Sequence, residues 1–132
     1  MKKQPEKVLA KRVADYLEIK YPNTIRRFDL AADMKMSVWQ GARNKSLHGR
    51  HTRGYPDLFI AKPNRYYAGL FLELKADGNS PFKKDGTLKK NEHLQRQNAI
   101  HEILRNDGYC VKFVTGFQEA IDVIEEYMED VV

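Results

Sequence analysis

Cysteine is nearly absent from this chain. Cys110 is the only one, so no disulfide can form within the chain. Cys110 lies in a strand-like run, where a small buried apolar residue is the expectation. Long hydrophobic runs are missing as well. No segment approaches the roughly 18 apolar residues of a membrane span, and Met1-Lys2-Lys3-Gln4-Pro5-Glu6 has none of the apolar run of a signal peptide. A cytoplasmic protein with no membrane partner is therefore expected. With no internal repeat and no flexible linker, the 132 residues are expected to form one domain, 1–132.

Charge of one sign is missing from two regions. Residues 117–132 contain six acids, from Glu119 to Asp130, and no lysine or arginine. Taking those six from the chain's 18 acids leaves 12 acids against 23 basic residues in 1–116, an excess of 11 positive charges. Within that part, Arg43, Lys45, Arg50 and Arg53 form one acid-free basic stretch, and Lys83, Lys84, Lys89 and Lys90 form a second basic cluster. Such asymmetry steers a polyanion toward the protein. The plainer alternative is a set of solvated surface loops.

The apolar periodicity gives the element order α-β-β-β-α-β-α. Residues 5–21 carry Leu9, Val13, Tyr16 and Leu17 at the spacing of one buried helical stripe, and Pro22-Asn23 ends the helix. Ile25–Leu30, Leu58–Ala61, Tyr67–Ala76 and Tyr109–Val114 have the character of strands. Residues 91–107 and the stripe Phe117, Ala120, Ile121, Ile124, Met128 make two further helices, with Gly108 as a C-terminal cap of the first. A glycine- and lysine-containing loop spans 77–90, and residues 33–53 show no clean period. The implied architecture is α/β, a small central mixed sheet flanked by helices.

Chemistry concentrates in Gly54-Tyr55-Pro56-Asp57 and, 16 residues after Asp57, in Glu73-Leu74-Lys75. Side chains alternate along a strand, so Glu73 and Lys75 share one face while Leu70, Leu72 and Leu74 pack into the core on the other. Glu73 and Lys75 are then expected to face a cleft. Asp57 opens the neighbouring apolar run. Two carboxylates about one strand apart suit a hard cation such as magnesium, and the Leu74 carbonyl offers another oxygen. Such a cation activates water and neutralises charge on a phosphate. Lys75 could orient that water, take its proton, or stabilise the transition state. A second Glu-x-Lys, Glu18-Ile19-Lys20, lies in a helix, where residues two apart diverge by about 200° and cannot converge on one site.

Two helical polar residues fall on apolar faces. Gln97 lies between Ile100, His101 and Leu104, and a buried amide needs partners. Glu6 shares the face of Leu9, Val13 and Leu17. It is either a third carboxylate of the site or an acid favoured by the helix N-terminus. His48 and His51 have an H-x-x-H spacing, but no nearby cysteine or acid completes a zinc site. Loop histidines are the better account, and His93 and His101 are expected on a helix surface or in packing.

Taken together, Glu6 on the first helix, Gly54-Tyr55-Pro56-Asp57, Glu73-Leu74-Lys75, Gln97 eleven residues before Gly108, and the run Gly108-Tyr109 to Gly116-Phe117-Gln118-Glu119-Ala120-Ile121 resemble the VRR-NUC family of the PD-(D/E)XK nuclease superfamily. The compact form resembles its stand-alone phage members. The resemblance implies a restriction-endonuclease-like fold and magnesium- or manganese-dependent cleavage of DNA, with a preference for branched substrates such as Holliday junctions. It also implies a homodimer, working in the host cytoplasm if the chain is phage-encoded. Metal ligands would be Asp57, Glu73, the Leu74 carbonyl and Glu6, and Asp57, Glu73, Lys75 and Gln97 would make up the catalytic set. The competing readings are a DNA-binding module that has lost catalysis, and a nuclease with a restriction or end-processing task.

Overall fold

The computed structural model describes residues 5–29, 37–49 and 54–132. Its elements run α1 (Pro5–Lys20), β1 (Arg26–Phe28), α2 (Val38–His48), β2 (Leu58–Ile60), β3 (Leu70–Lys75), α3 (Glu92–Asn106), β4 (Cys110–Thr115) and α4 (Gly116–Glu129). The four strands make one mixed sheet in the order β1-β2-β3-β4. β1–β2 and β2–β3 pair antiparallel, while β3 and β4 run parallel, joined through α3. The sequence-derived order is thus corrected by one element, α2, inserted between β1 and β2.

One face of the sheet carries the main core. Leu58, Ile60, Leu70, Leu72, Leu74 and Val114 meet Leu9, Val13 and Leu17 of α1 and Ala120, Ile124 and Tyr127 of α4. The leucines of β3 and the α1 stripe are where period-two and helical patterning place them. Cys110 is buried in the same cluster. On the other face Phe59 and Phe71 stack with ring centroids 4.4 Å apart, and the ring of Tyr109 meets both edge-on. α3 covers the β3–β4 half of this face with Leu94, Gln97, Ile100 and His101. It ends in a Schellman turn. Gly108 (φ +97°) follows the C-cap Asp107, its N–H bonds Arg105 O, and Tyr109 N–H returns to Leu104 O, both at 3.1 Å.

α2 begins in a capping box, Ser37 accepting from Gln40 N–H while the Gln40 side chain accepts from Ser37 N–H. Among the described residues, none of the substantial packing interfaces between elements includes it, and Val38, Trp39 and Leu47 are exposed. No helix among the described residues is long and apolar enough to cross a membrane.

α1 and α4 are also tied by a polar cluster on Glu125. Tyr16 Oη and Lys20 Nζ donate to one carboxylate oxygen, and Tyr21 Oη donates to the other at 3.0 Å. The Lys20 contact, then Tyr16, holds the Glu125 carboxyl down at about 2 from its ordinary 4.5. A group depressed by folding stabilises the fold above its unfolded pKa, and that stabilisation is lost as pH falls toward the folded value. In urea titrations, wild type should therefore exceed Glu125→Gln in stability at pH 6, with the gap closing between pH 4.5 and 2. A gap independent of pH would refute the assignment.

Candidate active site

The site is built where the start of β2 meets the end of β3. Leu58 pairs with Leu72, and continuing that antiparallel register by one residue sets Asp57 opposite Glu73. Asp57 is fixed there from three directions. Its Oδ2 accepts from Leu74 N–H at 2.7 Å, its carbonyl accepts from Asp29 N–H at 2.7 Å, and the preceding Pro56 is buried. Tyr55 meets the edge of Phe71 with centroids 5.7 Å apart. Gly54 has φ +89° and lies so close to α3 that a Cβ there would sit 3.0 Å from Arg96 O. A side chain at position 54 would push the Gly-Tyr-Pro-Asp segment off α3. This contact is absent from the sequence-based reading, though a glycine three residues before a candidate ligand was its visible signal.

Glu73 and Lys75 project together, as alternation requires, but their surroundings differ from the expected cleft. Glu73 is 1% exposed and Oε1 lies 3.1 Å from Nε2 of His101, itself 0% exposed. The correction has a physical cause: α3 lies over this face of β3 and seals the carboxylate in. Of the two places expected for His101, helix surface or packing, it takes the second. Burial, then Arg105 and Lys75, lowers its pKa to about 4, so the ring is neutral near pH 7. Nδ1 has no hydrogen-bond partner among the described residues. The single ring proton therefore belongs on Nε2, donated to Glu73.

Lys75 is half-buried at the end of the strand and donates from Nζ to Gln97 Oε1 at 2.9 Å. Gln97 is 5% exposed, so its place on the buried face of α3 agrees with the helical phase. Phe113, opposite Glu73 on β4, is the packing centre of the site. Its ring lies 4.5 Å from His101, 5.9 Å from Lys75 Nζ and 5.8 Å from Phe82.

The structure thus brings together Asp57, Glu73, Lys75 and Gln97. It does not gather Glu6 with them into a metal cluster: among the described residues no three His, Cys, Asp or Glu side chains converge as ligands. Leu74 follows Glu73 on β3 and donates its N–H to Asp57, with its side chain in the core. Two carboxylates and a peptide carbonyl form a hard, all-oxygen donor set. Such a set is of the kind that hard divalent cations take, since they can bind through one or two protein carboxylates and keep several waters.

No family model and no curated protein matches the chain. Among solved structures, one described as a VRR_NUC domain protein matches with 25% identity and a TM-score of 0.65, covering 99% of this chain and 93% of that one. The chain shares the fold of that VRR_NUC domain protein over nearly its whole length. In this VRR-NUC fold the lysine-bearing segment after β3 is folded back on itself. Phe82 pairs with Leu88 in an antiparallel bridge, Lys83 N–H bonds Thr87 O at 2.7 Å, and Asp85 caps the turn through Thr87. Lys83, Lys84, Lys89 and Lys90 are all exposed on it, and its Phe82 rests on Phe113 beside the site. Arg43 and Lys45 are exposed on α2. Arg50 and Arg53, with His51 and part of the 33–53 stretch, lie outside the described residues.

Proposed function

We propose that this domain is a magnesium- or manganese-dependent endonuclease that hydrolyses DNA phosphodiester bonds, with branched DNA such as a four-way junction as its preferred substrate. The observation that carries this reading is the placement of Asp57 opposite Glu73, with Lys75 on the same face of β3 and held by Gln97. A divalent cation bound by Asp57, Glu73 and the Leu74 carbonyl would lower the pKa of a water and offset charge on the phosphate. The protein supplies position. Gln97 takes one of the three Lys75 Nζ donors, leaving two to meet oxygens of the scissile phosphate as charge builds on them. Lys83, Lys84, Lys89 and Lys90 flank that position and suit the DNA backbone, as do Arg43 and Lys45 and, by sequence, Arg50 and Arg53.

A homodimer belongs to the same proposal. An 11-residue helix is marginal without tertiary packing, and a second copy would cover the exposed Val38, Trp39 and Leu47. A two-fold pair also suits symmetric cuts in a junction. The test is cleavage of end-labelled four-way junction, splayed-arm and linear duplex DNA at matched concentration, with sedimentation of the same preparation. Paired cuts in the junction at least about tenfold faster than in linear duplex, from a species of twice the chain mass, are expected. Equal rates on all three would remove the branched substrate, and a monomer would remove the dimer. Binding to all three with no cutting would leave a DNA-binding module.

A further inference from the structure

We infer that residues 81–89 are a preformed DNA clamp, and that the seating of Phe82 on Phe113 selects which phosphodiester meets Lys75. The inference rests on the nuclease reading and deepens it. The segment lies between the end of β3, which carries Lys75, and α3, which carries Gln97. It therefore connects the two elements that hold the Lys75–Gln97 pair. A solvated surface loop leaves much of its backbone to water, whereas this one is bonded along its length. Asn79 N–H bonds Ala76 O at 3.0 Å, Ser80 Oγ accepts from Phe82 N–H at 3.2 Å, and Lys89 N–H bonds Pro81 O at 2.8 Å. At the tip Gly86 N–H bonds Lys83 O at 2.9 Å. Gly86, at φ +87°, is the left-handed residue of a bulged hairpin turn. Asn91 closes the return by accepting from His93 and Leu94 N–H at the start of α3.

This frame carries charge and one anchor. Lys83, Lys84, Lys89 and Lys90 are exposed. The single acid among residues 81–90, Asp85, is turned inward, accepting from Thr87 N–H at 3.0 Å and Oγ1 at 2.6 Å. Phe82 is 40% exposed and meets the buried Phe113 edge-on, at 89° with centroids 5.8 Å apart. The same Phe113 ring lies 5.9 Å from Lys75 Nζ. One aromatic contact thus sets the offset between the lysines of the hairpin and the lysine at the reaction centre. Contacts to phosphates position a protein along DNA without reading bases. An offset of this kind fixes the cut by distance, not by sequence.

The test is cleavage of end-labelled four-way junction DNA mapped to the nucleotide, beside binding titrations over a range of salt and thermal denaturation of each protein. The variants are Phe82→Ala, Gly86→Val, Gly86→Asn and the double variant Lys83→Ala with Lys89→Ala. Phe82 and Gly86 lie outside the apolar core cluster, so their variants should fold. A Cβ at position 86 would meet nothing within 4 Å. Gly86→Val therefore acts only through the left-handed backbone, which Asn tolerates and Val does not. Phe82→Ala and Gly86→Val should spread the cut over neighbouring phosphodiesters, while Gly86→Asn keeps the wild-type position. The double lysine variant should flatten the slope of log affinity against log salt by about 1.8, at about 0.9 per phosphate contact. A wild-type cut position in Phe82→Ala would overturn the positioning role of Phe82. The same result in Gly86→Val, or an unchanged salt slope in the double variant, would overturn the clamp. Failure of the wild type to cut would instead sink the nuclease reading and the selection of a phosphodiester with it, and the salt slope alone would then decide the clamp.

Discussion

Lys75→Ala is expected to lower kcat for DNA cleavage by about 10²–10⁴-fold while leaving DNA affinity within a few-fold of wild type. Lys75 is half-buried at the end of β3, and its Nζ is set by Gln97 rather than free to sample solvent. Truncation removes the one cation that shares a strand face with Glu73, so the charge forming on the phosphate loses its positioned partner. The lysines of the 82–90 turn and the basic residues of α2 are untouched, and they are the groups placed to hold the DNA backbone. Lys75 also lies outside the apolar core cluster, so the fold should survive. Lys75→Arg should rescue little, because a planar guanidinium cannot reproduce an ammonium held by one amide oxygen. Single-turnover cleavage beside a binding titration separates the two effects. Near-wild-type kcat in Lys75→Ala would remove Lys75 from the reaction.

Asp57 should show two separable effects. Its carboxylate is a proposed metal ligand, and it is also the acceptor for Leu74 N–H at 2.7 Å. Asp57→Ala should therefore weaken Mn2+ and Mg2+ binding by at least about 100-fold, since even an outer hydrogen bond is worth about 10–100-fold. It should also cost about 1–3 kcal/mol of stability by stranding a part-buried N–H. Asp57→Asn keeps an acceptor oxygen for Leu74 and loses the charge. It should lose the metal and keep most of the stability. Calorimetry and urea denaturation on the two variants check this. Unchanged metal affinity in both would strike Asp57 from the ligand set, and equal stability in both would leave the Leu74 contact without energetic weight.

Much of the fold was legible because its strands and helices obey simple periods. The Leu70, Leu72, Leu74 alternation and the Leu9, Val13, Leu17 stripe place the core, and each of these residues is buried where the period puts it. α2 was not legible, since periodicity reports burial against the rest of the chain and this helix buries little of its apolar surface there. Its one local signal was the Ser37–Gln40 capping pair. The same limit explains Glu73. Alternation specifies which face of β3 it occupies, but only the approach of α3 decides whether that face is an open cleft or a sealed layer. His101 was legible as a residue of the apolar helix face and not as the partner of Glu73. That pairing depends on how far α3 is shifted along β3, which local sequence does not encode. Gln97 could be read, because an amide on an apolar stripe requires a polar partner wherever the helix docks.

The most direct test of the central claim is incubation of the wild-type protein with end-labelled four-way junction DNA in magnesium, in manganese and in excess EDTA. Discrete products in both metals and none in EDTA are the expected result. Cleavage that persists in EDTA would contradict a metal site on Asp57 and Glu73. Intact DNA in both metals, with binding retained, would contradict the assignment of this domain as a nuclease.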